Sequence, residues 1–288
     1  MLRNMPAPDE DAHAEGARDR ACGALVGLAV ADALLIRADL DSGSAGPGDI
    51  HPLIWGTTTS MAVALAVSLA ECGSFDEADL AGRIAHHHAT GEYASPTTVA
   101  CSPDEAASGG NAEAAALFLA NMAPIAIRYW QNPASLLEAT GRLMRADDGP
   151  ARVTAADTVL AQVLADCIAG MPRRTVLLRA RYRVPGPANC RVADALSGGS
   201  VQAEDKAFEV LSRALNCLHQ SGSFEDAMKR AGLIAAHRAA VTVITGQIAG
   251  EFYGLSGIPP AWLDGLVWRE PLESLALELT TPAGWYPA

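Results

Sequence analysis

HPLIWGTTTSMAVALAVSLAEC, residues 51–72, is the stretch on which the reading of this chain turns. It opens with a proline-bearing loop and Trp55, passes through Thr57-Thr58-Thr59-Ser60, and continues from Met61 to Cys72 without a glycine or proline. A hydroxyl cluster before an apolar run predicts a helix start, because side-chain oxygens accept hydrogen bonds from the first free N–H groups. Thr57 and Ser60 are therefore expected as helix caps, and Trp55 as a residue of either a cleft or the core. Gly73 suits the C-terminus, since glycine reaches the left-handed conformation without steric cost. Ser74-Phe75-Asp76-Glu77 then has the S-x-x-E form of a capping box, starting a helix to about His88. Gly222-Ser223-Phe224-Glu225-Asp226-Ala227 echoes that helix start.

Outward from this stretch the chain continues to look helical. Residues 1–16 are polar, with Pro6, Pro8 and clustered acids, and are expected to form a frayed tail. Ala17–Leu35 is an apolar helix in which Gly23 and Gly27, four residues apart, permit close contact with another helix. Glycines and prolines predict a loop over 36–56 and another over 91–110. Helical patterns are expected at 111–130, with Pro124 starting a new turn, and at 134–146, 154–169, 202–219, 224–235, 237–254 and 261–267. TVLLRARYRV (175–184) is the one strand-like fragment, and it reads nearly as well as helix. The tail after 267 contains proline and ends in Gly284-Trp285-Tyr286-Pro287. These readings make an all-α protein, a single compact helical bundle over 17–288, because no composition shift marks a linker.

Composition narrows the function. Lys and Arg number 21 against 33 Asp and Glu, a net charge of −12 that disfavours nucleic acid and anionic membranes as partners. The six cysteines are scattered with no CxxC spacing, which predicts buried thiols in a reducing compartment. No signal-like apolar region opens the chain and no uninterrupted apolar run of about 18 residues occurs, so a cytoplasmic protein is expected.

Four stretches in order resemble the ADP-ribosylglycohydrolase family, which includes the dinitrogenase reductase-activating glycohydrolases and the J-crystallins. They are GALVGLAVADAL (23–34), WGTTTSMAVALAVSLAECGSFDEADLAGRIAHHHATG (55–91), NMAPIAIRY (121–129) and AMKRAGLIAAHRAAVTVITGQIAGEFYGLSGIPPAWLDGL (227–266). The resemblance implies an orthogonal all-α bundle and a cleft for an ADP-ribosyl group. It also implies two magnesium ions held by Thr-Asp-Asp-Thr at one helix start and Gly-Gly-Asp-x-Asp-Thr at another. Magnesium demands hard oxygen ligands in a near-octahedral array, and carboxylates supply the compensating charge. Here the first motif is Thr57-Thr58-Thr59-Ser60 and the second falls on Ala235-Ala236-His237-Arg238-Ala239-Ala240. The four aspartates are replaced by Thr58, Thr59, His237 and Ala239, so the magnesium cofactor is expected to be lost, with no metal ligand retained. The family's Gly-Asn-Gly segment matches Ala115-Ala116-Leu117 without gaps, or Gly110-Asn111 with an insertion.

The remaining candidates are few. Asp32 matches the family's Gly-Asp at the end of its first helix and is a candidate catalytic carboxylate. His237, at a former aspartate position, is the candidate general base, since imidazole accepts a proton without a metal. Trp55, Thr57, Thr58, Thr59, Ser60 and Arg238 are the expected cleft residues. His86-His87-His88 do not converge on one ion, because successive helical residues point about 100° apart. Cys101 has no identifiable activating neighbour. The expected function is that of a degenerate family member, a pseudoenzyme binding a small molecule or a protein partner. The alternative is a metal-independent enzyme reusing the cleft, with a purely structural role behind both.

Overall fold

The computed structural model describes residues 10–41, 52–90, 119–143, 155–177 and 206–281. Those residues form twelve α-helices: α1 (Glu10–Asp41), α2 (Thr57–Cys72), α3 (Glu77–Thr90), α4 (Met122–Tyr129), α5 (Pro133–Leu143), α6 (Ala155–Ile168), α7 (Arg173–Val176), α8 (Lys206–Gln220), α9 (Phe224–Gly232), α10 (Arg238–Tyr253), α11 (Pro260–Gly265) and α12 (Arg269–Thr280). Single 3-10 turns at Leu119–Asn121 and Leu255–Gly257 complete them. No helix among the described residues is long and apolar enough to cross a membrane.

The pair α1–α10 is the axis of the molecule, and its closeness follows from glycine. Gly23 and Gly27 of α1 face Gly250 and Gly246 of α10 as the two helices run in opposite directions. A Cβ at Gly23 would lie 2.1 Å from the Gly250 carbonyl oxygen, and one at Gly27 would lie 2.5 Å from that of Gly246. The close contact expected from the Gly23/Gly27 spacing is thus made backbone to backbone. The other helices wrap this pair. α12 and α6 pack on α1, α8 and α9 on α10, and α2 and α4 on each other and on α12.

Three arginines secure helix C-termini, where unpaired carbonyls carry the negative end of the helix dipole. Arg20 on α1 donates its Nε–H to Ile168 O, the last residue of α6, at 2.8 Å. Arg128 on α4 donates to Gly73 O after α2 and to Thr281 O after α12. Arg173 donates to Ser221 O after α8 and to the Tyr253 hydroxyl.

Several expectations are corrected. α1 begins at Glu10 rather than Ala17 and runs on to Asp41, so 10–16 are helix and 36–41 are not loop. The turn at 74–77 is not the expected capping box. Asp76 Oδ1 accepts from the N–H groups of Ala78 and Asp79, so the aspartate caps α3 in place of Ser74. The later echo does use its serine, with Ser223 Oγ accepting from Asp226 N. Pro124 sits in the first turn of α4, where its missing N–H costs nothing. The tail contains α12, which buries Leu272, Ala276 and Leu279. Thr175 and Val176 of the strand-like fragment lie in helical turn α7, and 178–184 lie outside the described residues. So do Cys101, Gly110-Asn111 and Ala115-Ala116-Leu117. Cys22, Cys167 and Cys217 are buried free thiols, whereas Cys72 is exposed.

Candidate functional site

The first helix start is held by a carboxylate, though not one of its own. The N-cap of α2 is Gly56, with no side-chain cap from the Thr57–Ser60 cluster. Asp32 of α1 reaches across instead. Its Oδ2 accepts from Gly56 N at 2.9 Å, Thr59 N at 3.1 Å and Thr59 Oγ1 at 2.7 Å. The expected hydroxyl caps are therefore corrected: Thr57 is exposed, and Ser60 Oγ donates back to Gly56 O at 3.0 Å. Asp32 thus acts as a cap from another helix, accepting the backbone N–H groups of the N-cap Gly56 and of Thr59. Burial raises the Asp32 pKa, opposed by the Thr59 hydroxyl and the Thr59 and Gly56 amides.

Trp55 belongs to the core. It is fully buried, its Nε1–H donates to Val267 O at 2.9 Å, and its ring meets that of Trp268 edge to face. Leu53 N donates to Gly265 O and Val267 N to Leu53 O, so residues 53–55 are strapped to the segment before α12. The strap and Asp32 together fix the first turn of α2.

At the second helix start, His237 takes the left-handed conformation (φ 56°, ψ 35°) as N-cap of α10. A glycine adopts that conformation freely, and histidine does so at a cost of about 1–2 kcal/mol. Its Nε2 lies 3.9 Å from Glu209 Oε2 of α8, beyond hydrogen-bond reach. Glu209 Oε1 is held by Arg213, with Nη2 at 2.6 Å and Nε at 3.1 Å. Arg238, Ala235 and Ala236 are exposed.

The fold brings the two helix starts to the C-terminal half of α1. Leu28 of α1, Ala62 of α2, Ala120 of the 3-10 turn and Val243 of α10 form one buried cluster, with Leu35 against it. Gln247 of α10 donates its Nε2–H to Ala120 O at 2.8 Å, holding that turn in place. Asp32 and Thr59 are in direct contact on one side, and His237 and Arg238 lie at the other helix start. Glu209 was missed from sequence, because an acid on the polar face of an amphipathic helix carries no local signal. His87 is buried and His86 exposed, consistent with their divergence along α3.

The donor chemistry does not fit two magnesium ions. The four positions that would carry carboxylates present two hydroxyl groups, an imidazole and a methyl group, and Thr59 Oγ1 already donates to Asp32. Among the described residues no group of three or more His, Cys, Asp or Glu is placed to hold a metal ion. With the first turn of α2 spent on Asp32 and Gly56 O, what the two helix starts offer is the Thr57 and Thr58 hydroxyls and the first N–H groups of α10, a set that suits anionic or polar ligand groups.

An all-α bundle with two helix starts placed along the C-terminal half of its first helix points to the ADP-ribosylglycohydrolases. The sequence profile of that family, described as ADP-ribosylglycohydrolase, matches residues 13–287, and the chain belongs to the family. It is similar to the ADP-ribosylarginine hydrolase Tri1 of Pseudomonas putida (strain GB-1), at 26% identity over 92% of this chain and 79% of the relative. It is also similar to the protein of the same name from Serratia proteamaculans (strain 568), at 27% identity over 91% and 79%. A solved structure titled ADP-ribosylglycohydrolase-related protein complex superposes with a TM-score of 0.66 at 28% identity, covering 92% of this chain and 98% of that one.

Proposed function

We propose that this protein keeps the ADP-ribosylglycohydrolase scaffold as a binding module and does not perform the family's magnesium-dependent hydrolysis. One observation carries the reading: Thr58, Thr59, His237 and Ala239 stand where the family's aspartates are expected, and the hydroxyl of Thr59 is committed to Asp32. Asp32 is spent on the first turn of α2 and Glu209 is held by Arg213, so neither is left to compensate two dications, and Arg238 adds a positive charge beside the second start. The ligand class follows from the relatives, which are named as ADP-ribosylarginine hydrolases. An ADP-ribosyl group, or a protein carrying one, is the proposed occupant. Its diphosphate is suited to the N–H groups of the helix starts and to Arg238.

A second reading keeps catalysis without metal. His237 beside Glu209, which Arg213 orients, has the composition of an acid–base pair that closes up when a ligand binds. In that case His237 takes a proton from water or from a substrate hydroxyl, and Glu209 stabilises the imidazolium. Calorimetric titration with ADP-ribose, with and without magnesium, tests both readings. Metal-independent binding supports the module, and magnesium-dependent binding with turnover of ADP-ribosyl-arginine overturns it. Turnover without metal that disappears in His237→Ala selects the second reading.

A further inference from the structure

Far from the helix starts, α10 carries a glutamate in the interior of the bundle. Glu251 is fully buried, and neither carboxylate oxygen has a hydrogen-bond partner. A buried carboxyl in that state calls for a specific account, since a burial cost left uncompensated is large. The charged and titratable groups that act on this site are Arg20 and Asp19 from α1 and Cys167 and Asp166 from α6. Of these, Arg20 is the cation. Its guanidinium donates the Nε–H to Ile168 O at the end of α6, and neither oxygen of Glu251 receives a hydrogen bond from it. Asp19 is itself engaged by Ser256, through the backbone N–H and the hydroxyl. The Cys167 thiol is pushed well up by burial and by Glu251, so it stays neutral.

We infer that Arg20 and Glu251 form a two-position switch, with the guanidinium docked on the C-terminus of α6 in one position and on the Glu251 carboxylate in the other. Both Glu251 oxygens are buried without a hydrogen-bond partner, a state that suits the neutral carboxyl, and the described arrangement is assigned to the protonated position; burial raises the carboxyl's pKa in the same direction, with Arg20 pulling it partly back. When the proton leaves, an unpaired carboxylate is confined beside a guanidinium that retains its charge at any ordinary pH. The guanidinium then swings to the carboxylate and abandons Ile168 O. The turn after α6 loses its clamp. That turn is held by Ala169 N to Ala165 O, Gly170 N to Cys167 O and Met171 N to Asp166 O, with the Arg20 guanidinium lying against Gly170.

The sign of the pH effect is set by linkage. The folded chain keeps a proton that the unfolded chain gives up above about 4.5, so rising pH favours unfolding. Urea unfolding of the full chain and of Glu251→Gln between pH 5.5 and 9 reads this directly. The wild-type unfolding constant should rise relative to the variant by about tenfold per pH unit until the fold itself releases the proton. A ratio that does not change with pH overturns the inference. The movement of Arg20 is read by hydrogen exchange at Ala169, Gly170 and Met171, corrected for intrinsic base catalysis. In the wild type these amides should lose at least tenfold protection at high pH while the amides earlier in α6 keep theirs, and Glu251→Gln should abolish the difference. If all of α6 loses protection together, Glu251 merely destabilises the fold and there is no switch. Should Glu251→Gln fail to fold, Glu251→Ala serves for the same two readings.

Discussion

At the scale of single residues, Asp32 and His237 show how the two helix starts are held together. Asp32 gathers three donors from the first turn of α2 on one oxygen. Asp32→Ala leaves the Gly56 and Thr59 amides and the Thr59 hydroxyl facing no acceptor, and should cost about 2–3 kcal/mol in denaturant unfolding. Asp32→Asn keeps an accepting oxygen at nearly the same place and should cost less than half as much. The raised pKa of Asp32 means the folded chain holds a proton that the unfolded chain releases above 3.8, so its contribution to stability declines as pH rises from there. Asp32→Asn should flatten that part of the pH profile, and an identical slope in both proteins would show that the carboxyl ionises freely. His237 is held at positive φ by its position between α9 and α10. His237→Gly should stabilise the fold by up to about 1 kcal/mol if the strain is gratuitous. A gain in stability coupled to a loss of ADP-ribose binding would place the imidazole in the ligand site.

At the scale of elements, the α1–α10 contact is the seam on which folding depends. Gly27→Ala places a Cβ 2.5 Å from a backbone oxygen, which no rotamer change relieves. The helices must separate, and the loss should be at least about 3 kcal/mol or prevent folding. Gly82→Ala on α3 is the matched control, with nothing within 4 Å of the added methyl. It should gain about 0.5–1 kcal/mol, and thermal melts of the two variants separate crowding from intrinsic propensity. This seam was legible in the sequence because the Gly23/Gly27 spacing has a direct geometric meaning. Other elements were less so. The extension of α1 to Glu10 and Asp41 joins polar ends to an apolar middle, and residues 12–15 are exposed, so the first turns carry no apolar face that could have marked them as helix. α12 did carry a signal in the spacing of Leu272, Ala276 and Leu279, which the prolines of the tail obscured. The paired starts at Ser74 and Ser223 look alike in sequence and are capped differently, because Asp76 offers an acceptor two residues nearer to its helix.

At the scale of the whole molecule, family and fold were readable from four ordered stretches, while the contacts at the two helix starts were not. Thr59 and Asp32 lie 27 residues apart and meet only once α1 and α2 are packed, and Glu209 approaches His237 only through the packing of α8 on α10. That geometry also determines what restoring the family's carboxylates would do. An aspartate in place of Thr59 puts a second carboxylate against the buried Asp32 oxygen that now accepts a bond at 2.7 Å. Two such groups cannot both ionise without a cation between them. A variant carrying Thr58→Asp, Thr59→Asp, His237→Asp and Ala239→Asp should therefore melt below the wild type in chelator. Magnesium at millimolar concentration should raise its melting temperature and leave that of the wild type unmoved, because a cation that binds only the fold stabilises it by mass action. Variants restored at one helix start alone should lose stability without the magnesium response, since each start supplies half of the charge. A wild-type melting temperature that rises with magnesium would mean that a metal site survives in the chain as it stands.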